Sequence, residues 1–517
     1  MPVTSNIHDL LDATPAARAY ADALPDGRLI GFETSGLDRL GVPAWAAVYM
    51  DGGSGADGGI VQHGMGFGLT DGEALVGAAG ELAEYAHSYR NLARVRRHRG
   101  SYANLRRRRW ALGVVDPLTL CLPAGSPVDA DTELEWVEAR RYPSGEVVLV
   151  PIDVVAVSPG GDLTPGYEPF TTLIGNGLGA GPTVEFALAH GLGELLQRDG
   201  NGLAIRALAT DVVVDLDGVD DPATLGLIEG IRAAGVEPVA KFCSDEFGVA
   251  NLYVVGDDRT DGTPLPLMTA GGGESAHPDG GRALKKALLE FAAARARLAF
   301  THGPWELVRS VAPPEYLELF RPRHSFADEE DRALESMLAW LRLDHKGMHA
   351  LLSERVLKRG PVKPFGELPR WRPGPDADGG VPGKAICDEL ARRLTAAGLG
   401  VLYVDHSPPD AAERGVHVVK AIVPGLEVET MSYHRIGERN ARRLLERGSD
   451  MAGRGEPPAG ALPVRLTAEA EARLGGPVWL DPAAVDRAVG ELYPLYREPE
   501  YHSTQVVLEA RRRAAAV

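Results

Sequence analysis

The run GNGLGAGPTVEFALAHGLGELLQRDGN, residues 175–201, feeds a glycine- and proline-rich front into an apolar helix carrying Glu194, Gln197 and Arg198. Unpaired N–H groups at a helix start attract anions, while carboxylates further along attract a hard divalent cation. That combination suits a phosphate and its magnesium. The pattern occurs three times. GMGFGLTDGEALVGAAGELAEY starts at Gly64, GLGAGPTVEFALAHGLGELLQR at Gly177, and GGGESAHPDGGRALKKALLEFAAARAR at Gly271. Each is a glycine-rich entry opening an alanine-rich helix with a carboxylate two to four turns in. Glu81 and Glu84 are three apart and share a helix face, as do Glu194 and Gln197, and His190 lies one turn before Glu194. Glu81, Glu84, Glu194 and Gln197 are therefore candidate metal ligands. Gly66, Gly68, Gly179 and Gly181 are candidate phosphate-loop positions, and Arg198 and Arg295 offer planar guanidinium forks for phosphate oxygens.

These side chains need a scaffold that brings separate helices to one point. Apolar, β-rich runs predict strands at 42–50, 145–157, 211–217, 236–243, 250–258, 400–406 and 416–424. Helical periodicity lies between them, at 72–92, 183–198, 222–234, 282–300, 329–343 and 385–397. The expected fold is α+β, a mixed chain whose alanine-rich helices pack closely. DGGSGADGG (51–59) reads as a hairpin loop, and LPRWRPGPDADGGVPGK (368–384) as a long irregular connection closing an inserted helical segment at about 325–384.

Composition narrows the function classes. The chain has 517 residues, 44% of them hydrophobic, and a formal net charge of −18. Such a charge opposes general nucleic-acid binding, because duplex affinity comes mainly from neutralising phosphates. No run approaches a membrane-spanning length, and the first residues lack a basic region followed by an apolar one, so a cytoplasmic protein without membrane contact is expected. Cys121, Cys243 and Cys387 are isolated and odd in number, which excludes a disulfide framework or a CxxC metal site. Eight arginines between Arg94 and Arg109 are either a solvated surface or an electropositive rim for a triphosphate or an acidic peptide. HKGMH (345–349) has the i, i+4 spacing of a zinc helix but lacks the intervening glutamate.

Taken in order, LDRLGVPAWAAV (37–48), the first glycine unit with Glu81 and Glu84, GNGLGAGPT…HGLGELLQRD, the third unit and VVKAIVPGLE (418–427) resemble the successive motifs of the YcaO superfamily. The resemblance covers roughly residues 15–440, giving a YcaO-like domain at 1–440 and a C-terminal extension at 441–517. It implies ATP and Mg2+ as cofactors held among the three glycine-led helices, with Glu194, Arg198 and Arg295 in catalytic positions. It implies phosphorylation of a peptide backbone amide, giving an azoline, a thioamide or an amidine according to the nucleophile. A ribosomally made precursor peptide, a separate delivery protein and a homodimeric state are further implications. Little chain precedes the first motif to serve as a peptide-recognition module, and the ending EARRRAAAV lacks the proline-rich tail common in azoline-forming members.

The departures from the family pattern are specific. Phe67 stands for a loop lysine, Tyr85 for an arginine, Pro182 for an asparagine, Phe186 for an acid with Glu185 one residue early, Gln197 for a glutamate and Ala293 for a glutamine. His277 matches a family histidine, with a loop-capping role as the alternative. Two readings follow: a divergent active enzyme, or a scaffold that binds peptide or partner without ATP turnover.

Overall fold

The computed structural model describes residues 7–51, 61–107, 113–158, 162–202, 211–260, 262–320, 330–374, 377–428 and 434–515. Four sheets organise them. An antiparallel three-stranded sheet runs Gly27–Glu33, Ala44–Asp51, Val61–Phe67. A five-stranded sheet is ordered Gly272–His277, Ala250–Asp258, Val236–Ser244, Val213–Val214, Val362–Lys363. A seven-stranded sheet is ordered Gly113–Val114, Val147–Pro151, Glu133–Arg141, Leu402–Asp405, His417–Ile422, Leu178–Gly181, with His98–Ser101 also pairing with Glu133–Arg141. A small sheet of Ala452–Arg454, Val478–Leu480 and Leu462–Pro463 lies near the C-terminus. The mixed α and β architecture agrees with the sequence reading.

The three glycine-rich entries are strands rather than loops. Each forms the end strand of a different sheet: Val61–Phe67, Leu178–Gly181 and Gly272–His277. Each then turns into a site helix, at Asp71–Leu92, Val184–Asn201 and Gly280–His302 respectively. Thr70, Thr183 and Asp279 cap these helices by accepting from the backbone N–H of Glu73, Phe186 and Arg282. Glycine is required because the helix lies directly on its own strand. A Cβ on Gly66 would stand 1.8 Å from the Ala74 carbonyl oxygen, and one on Gly179 would stand 2.1 Å from that of Ala187. In the same way a Cβ on Gly64 would meet Ala78 O at 2.2 Å, and one on Gly273 would meet Ala287 O at 2.1 Å. Small residues on both surfaces let the two backbones touch.

The helices predicted from periodicity form at nearly the expected bounds, Pro222–Ala233, Asp331–Trp340 and Lys384–Ala396 among them. Several strands are shorter than predicted. The run at 145–157 ends as a strand at Pro151 and turns through Ile152–Val154, and only Val213–Val214 of 211–217 pairs. The run at 400–406 pairs over Leu402–Asp405. The segment at 325–384 is not purely helical, since Val362–Lys363 joins the five-stranded sheet in parallel with Val213–Val214. Most of the 51–59 loop lies outside the described residues.

The boundary expected at 440 crosses a continuous core. Leu444, Leu480, Val485 and Tyr493 share one apolar cluster with Val239, Tyr253 and Leu298 of the earlier chain. Trp340 Nε1 donates to Glu491 O at 2.8 Å, and the ring of Tyr501 stacks on His63 at 4.1 Å. The last segment is therefore packed into the body that holds the three site helices. The strand–helix contact is directly testable: Gly66→Ala should destabilise the protein by about 1–3 kcal/mol in urea unfolding, through overpacking. Gly226→Ala, on a helix position with nothing within 4 Å of the added carbon, should instead gain up to about 1 kcal/mol.

Candidate nucleotide and metal site

The three caps set a common register. Eleven residues after each cap stands a glutamate: Glu81 after Thr70, Glu194 after Thr183 and Glu290 after Asp279. Each accepts a hydrogen bond from the backbone of its own unit's entry. Met65 N donates to Glu81 at 2.7 Å, Gly177 N to Glu194 at 3.0 Å, and Glu274 N to Glu290 at 3.3 Å. Glu84 crosses between units, accepting from Ala180 N at 2.9 Å. The first site helix is thereby tied to the entry strand of the second unit through a carboxylate.

These acids crowd one another. Burial, then Glu194 and Glu81, push Glu84 up to about 8. Burial pushes Glu81 up to about 7, reinforced by Glu194 and opposed by the Met65 N–H and Arg297. Burial also pushes Glu290 up to about 7, with Lys286 and Arg198 opposing and Glu274 reinforcing. Buried carboxylates that raise each other in this way beside a cleft mark a candidate functional site. Among the described residues, no three acidic, histidine or cysteine side chains stand close enough to hold a metal ion by themselves. The donor set fits Mg2+ bound jointly with phosphate oxygens, since this hard ion takes one or two carboxylates and completes its shell from substrate and water.

A cleft of about 480 Å³ opens beside these groups, and Glu81, Arg198, Glu274, Glu290 and Arg297 line it. Arg198 NH1 donates to Glu274 at 3.1 Å, and its NH2 lies 3.8 Å from Glu194. Gln197 is buried and donates its amide N–H to Glu274 at 3.2 Å. Phe67 lines the cleft where the family pattern has lysine, and Ala293 adds only a methyl group. Lys420 Nζ is buried, donates to Ile174 O at 2.6 Å, and is lowered to about 7 by burial while Glu194 draws it upward.

Several sequence-predicted positions are placed elsewhere. Arg295 is fully buried, its guanidinium held by Asp38 at 2.7 Å and Asp258 at 2.9 Å, and it does not line the cleft. Three aligned, desolvated charges engage each other there, so the phosphate role expected of Arg295 is corrected: the cleft arginines are Arg198 and Arg297. Of the four candidate glycines only Gly66 lines the cleft; Gly68, Gly179 and Gly181 are buried, with added Cβ atoms meeting Glu73, Ala187 and Phe186. His277 accepts from Asp279 N at 2.8 Å, the loop-capping arrangement. In the arginine-rich stretch, Arg97 turns inward to Glu135 and to the Leu92 carbonyl. None of its described arginines lines the cleft, and Arg108 and Arg109 lie outside the described residues. His345 faces Thr263 and His349 faces Asp257, so the paired histidines have separate partners.

Sequence reasoning missed Glu274, Glu290, Arg297, Glu498 and Tyr501. The cap-to-glutamate spacing marks Glu290; no spacing marks the last two. Glu498 binds Arg297 through two bonds of 2.7 and 2.8 Å and accepts from His302 Nε2 at 2.8 Å, while Tyr501 lines the cleft.

Residues 65–427 match the family model of the YcaO cyclodehydratases, described as ATP- and Mg2+-binding. The chain belongs to the YcaO family. An uncharacterised protein of Methanothermobacter thermautotrophicus is 30% identical over 421 residues, covering 79% of this chain and 91% of that protein. An uncharacterised protein encoded in the tfuA 3′ region of Rhizobium leguminosarum bv. trifolii is 26% identical, covering 72% of this chain and 79% of its own. Among solved structures, a heterocyclase in complex with substrate and cofactor aligns with a TM-score of 0.59 at 17% identity. It covers 84% of this chain, which spans only 55% of that protein's length. The YcaO protein of Methanopyrus kandleri, bound with AMPPCP and Mg2+, aligns with a TM-score of 0.51 at 20% identity, covering 83% of this chain and 93% of its own. At these identities the structural likeness establishes the fold. Among the described residues of this YcaO protein, no helix is long and apolar enough to cross a membrane.

The carboxylate crowding has a pH signature. Glu84 has an ordinary value of 4.5 and is pushed up to about 8 in the fold, so the native state keeps a proton that the unfolded chain has released. Its contribution to stability is complete below about pH 4.5 and is lost as pH rises through about 8. Glu84→Gln cannot ionise. In metal-free protein its stability relative to the wild type should rise by a few kcal/mol between pH 5 and pH 8.5. Urea unfolding at those two pH values measures the gap, and a gap independent of pH would count against this account.

Proposed function

We propose that this YcaO protein activates a backbone amide of a ribosomally made precursor peptide by ATP-dependent phosphorylation of the amide oxygen. A bond forms between that oxygen and the γ-phosphorus, and ADP leaves. A nucleophile then adds to the amide carbon and gives up a proton, and the C–O bond breaks to release phosphate. A Cys, Ser or Thr side chain of the peptide as nucleophile gives an azoline, a sulfide a thioamide, and an amine an amidine. The observation carrying this reading is the placement of Glu81, Glu194 and Glu290 at one register on three helices, with Glu81 and Glu290 lining the cleft and Glu194 set behind the cleft residue Arg198.

An amide oxygen is a poor leaving group, and phosphorylation makes it a good one, so the protein's part is positioning and charge neutralisation. Bound Mg2+ would supply that neutralisation across the phosphates. One or two of Glu81, Glu84, Glu194 and Glu290 would hold each ion together with phosphate oxygens, with the amide of Gln197 as a neutral neighbour. Arg198, set between Glu194 and Glu274, presents a guanidinium on the cleft wall for phosphate oxygens. A separate protein that delivers the peptide, and a homodimeric assembly, belong to the same reading.

A second reading is a scaffold that binds peptide or partner without turnover. Phe67, Tyr85 and Ala293 favour it, because each puts an uncharged group where the family pattern has a polar one. Two measurements separate the readings. Calorimetry with AMPPCP should show Mg2+-dependent binding, and Glu194→Ala should weaken it by about tenfold or more; unchanged affinity would place the nucleotide elsewhere. Phosphate release should rise when precursor peptide and delivery protein are added. A silent wild type, together with hydrolysis gained by Phe67→Lys, would establish the scaffold.

A further inference from the structure

The internal repeat allows the three units to be compared position by position within this one chain. Three residues beyond the shared glutamate, the helices carry Glu84, Gln197 and Ala293: an acid, an amide and a methyl group. Five residues before the cap, the strands carry Met65, Leu178 and Glu274: two apolar side chains and then an acid. Negative charge falls away along the helix position and turns up on the strand of the third unit.

The two changes meet in space. The Glu274 side chain is 4% exposed yet lines the cleft, and its Oε2 accepts from Gln197 Nε2 at 3.2 Å and from Arg198 at 3.1 Å. Its backbone N–H holds Glu290, the third unit's shared glutamate, at 3.3 Å. A buried carboxylate is costly unless its charge is used or well paired, and Met65 and Leu178 show that the strand position itself does not require an acid. The ion pair with Arg198 does not account for the contact with Gln197, because an amide partner neutralises no charge.

We propose that Glu274 is a further carboxylate of the Mg2+–nucleotide site, carrying on the strand the negative charge that the second site helix lacks at Gln197. This rests on the nucleotide-binding reading above. Gln197 then serves to orient Glu274, and the charge on the cleft wall is kept although the helix position has become neutral. The swap is reciprocal in chemistry as well as place: an amide and a carboxylate in hydrogen-bond contact can exchange sites with little change in volume.

The test is the Mg2+ concentration giving half-maximal AMPPCP binding, read by calorimetry, with melting temperature as the check on folding. Glu274→Gln should raise that midpoint about tenfold, and Glu274→Gln combined with Gln197→Glu should bring it back to within about threefold of wild type. A midpoint unmoved in Glu274→Gln, or a double variant no better than the single one, would overturn the proposal. So would weaker AMPPCP binding at saturating Mg2+ with an unchanged midpoint, the result expected if Glu274 only braces Arg198. Should Glu274→Gln fail to fold, Gln197→Glu alone decides: a second carboxylate beside Glu274 should lower the midpoint, and an unmoved midpoint refutes the idea. Wild-type protein that binds no AMPPCP at any Mg2+ concentration would remove the nucleotide reading and this inference together. Loss of binding in Glu194→Ala with a normal Glu274→Gln would remove this inference alone.

Discussion

One hydrogen bond, made three times, underlies the rest of the molecule: a backbone N–H of a glycine-rich entry segment donates to a glutamate on the helix that follows. The donor and acceptor are sixteen residues apart in the first and third units and seventeen in the second. Such a bond forms only if the helix folds straight back onto its own strand. That approach is closed to any residue with a side chain at Gly66, Gly179 or Gly273, because a Cβ would enter the facing backbone. The glycines are therefore needed for the acids to reach the cleft, whatever else approaches them.

Three sheets, each ending in one of these strands, bring the three helices to a single place, and the fold accepts like charges at close quarters as a result. Native proteins retain such crowding where activity needs it, since stability alone would favour neutral or apolar groups at these positions. Partial relief is built in. Backbone N–H groups reach Glu81, Glu84, Glu194 and Glu290, and Arg297, Lys286 and Lys420 oppose the accumulated charge. Tyr85, by contrast, is pushed well above its ordinary range by burial and by the same glutamates, so it adds no positive charge and stays protonated.

Much of this was legible in the amino-acid sequence because helical periodicity is a local property. The site helices, Glu81, Glu84, Glu194 and Arg198 follow from spacing alone, and the ordered motifs identify the family. The entry strands were misread as loops because glycine carries no hydrophobic pattern; its meaning here is a contact between distant backbones. Arg295 was misassigned for a related reason. Its partners Asp38 and Asp258 lie far away in the chain, and nothing next to Arg295 tells it apart from Arg297, two positions on, which does face the cleft. Glu498 and Tyr501 belong to a stretch without motif or strong periodicity, so only the tertiary fold discloses them.

The position of those last residues has a consequence for how the protein comes into being. A ribosome delivers a chain from its N-terminus, so the three site helices are complete while the wall formed by Pro494, Leu495, Tyr496, Glu498 and Tyr501 has yet to be made. Until then Arg297 has no Glu498 to hold it, and the cleft lacks one side. A nascent chain thus cannot present the finished site before Glu498 and Tyr501 have been made. Chains cut short before Glu498 would lack the finished cleft, which makes the synthesis of this segment the step that completes the site.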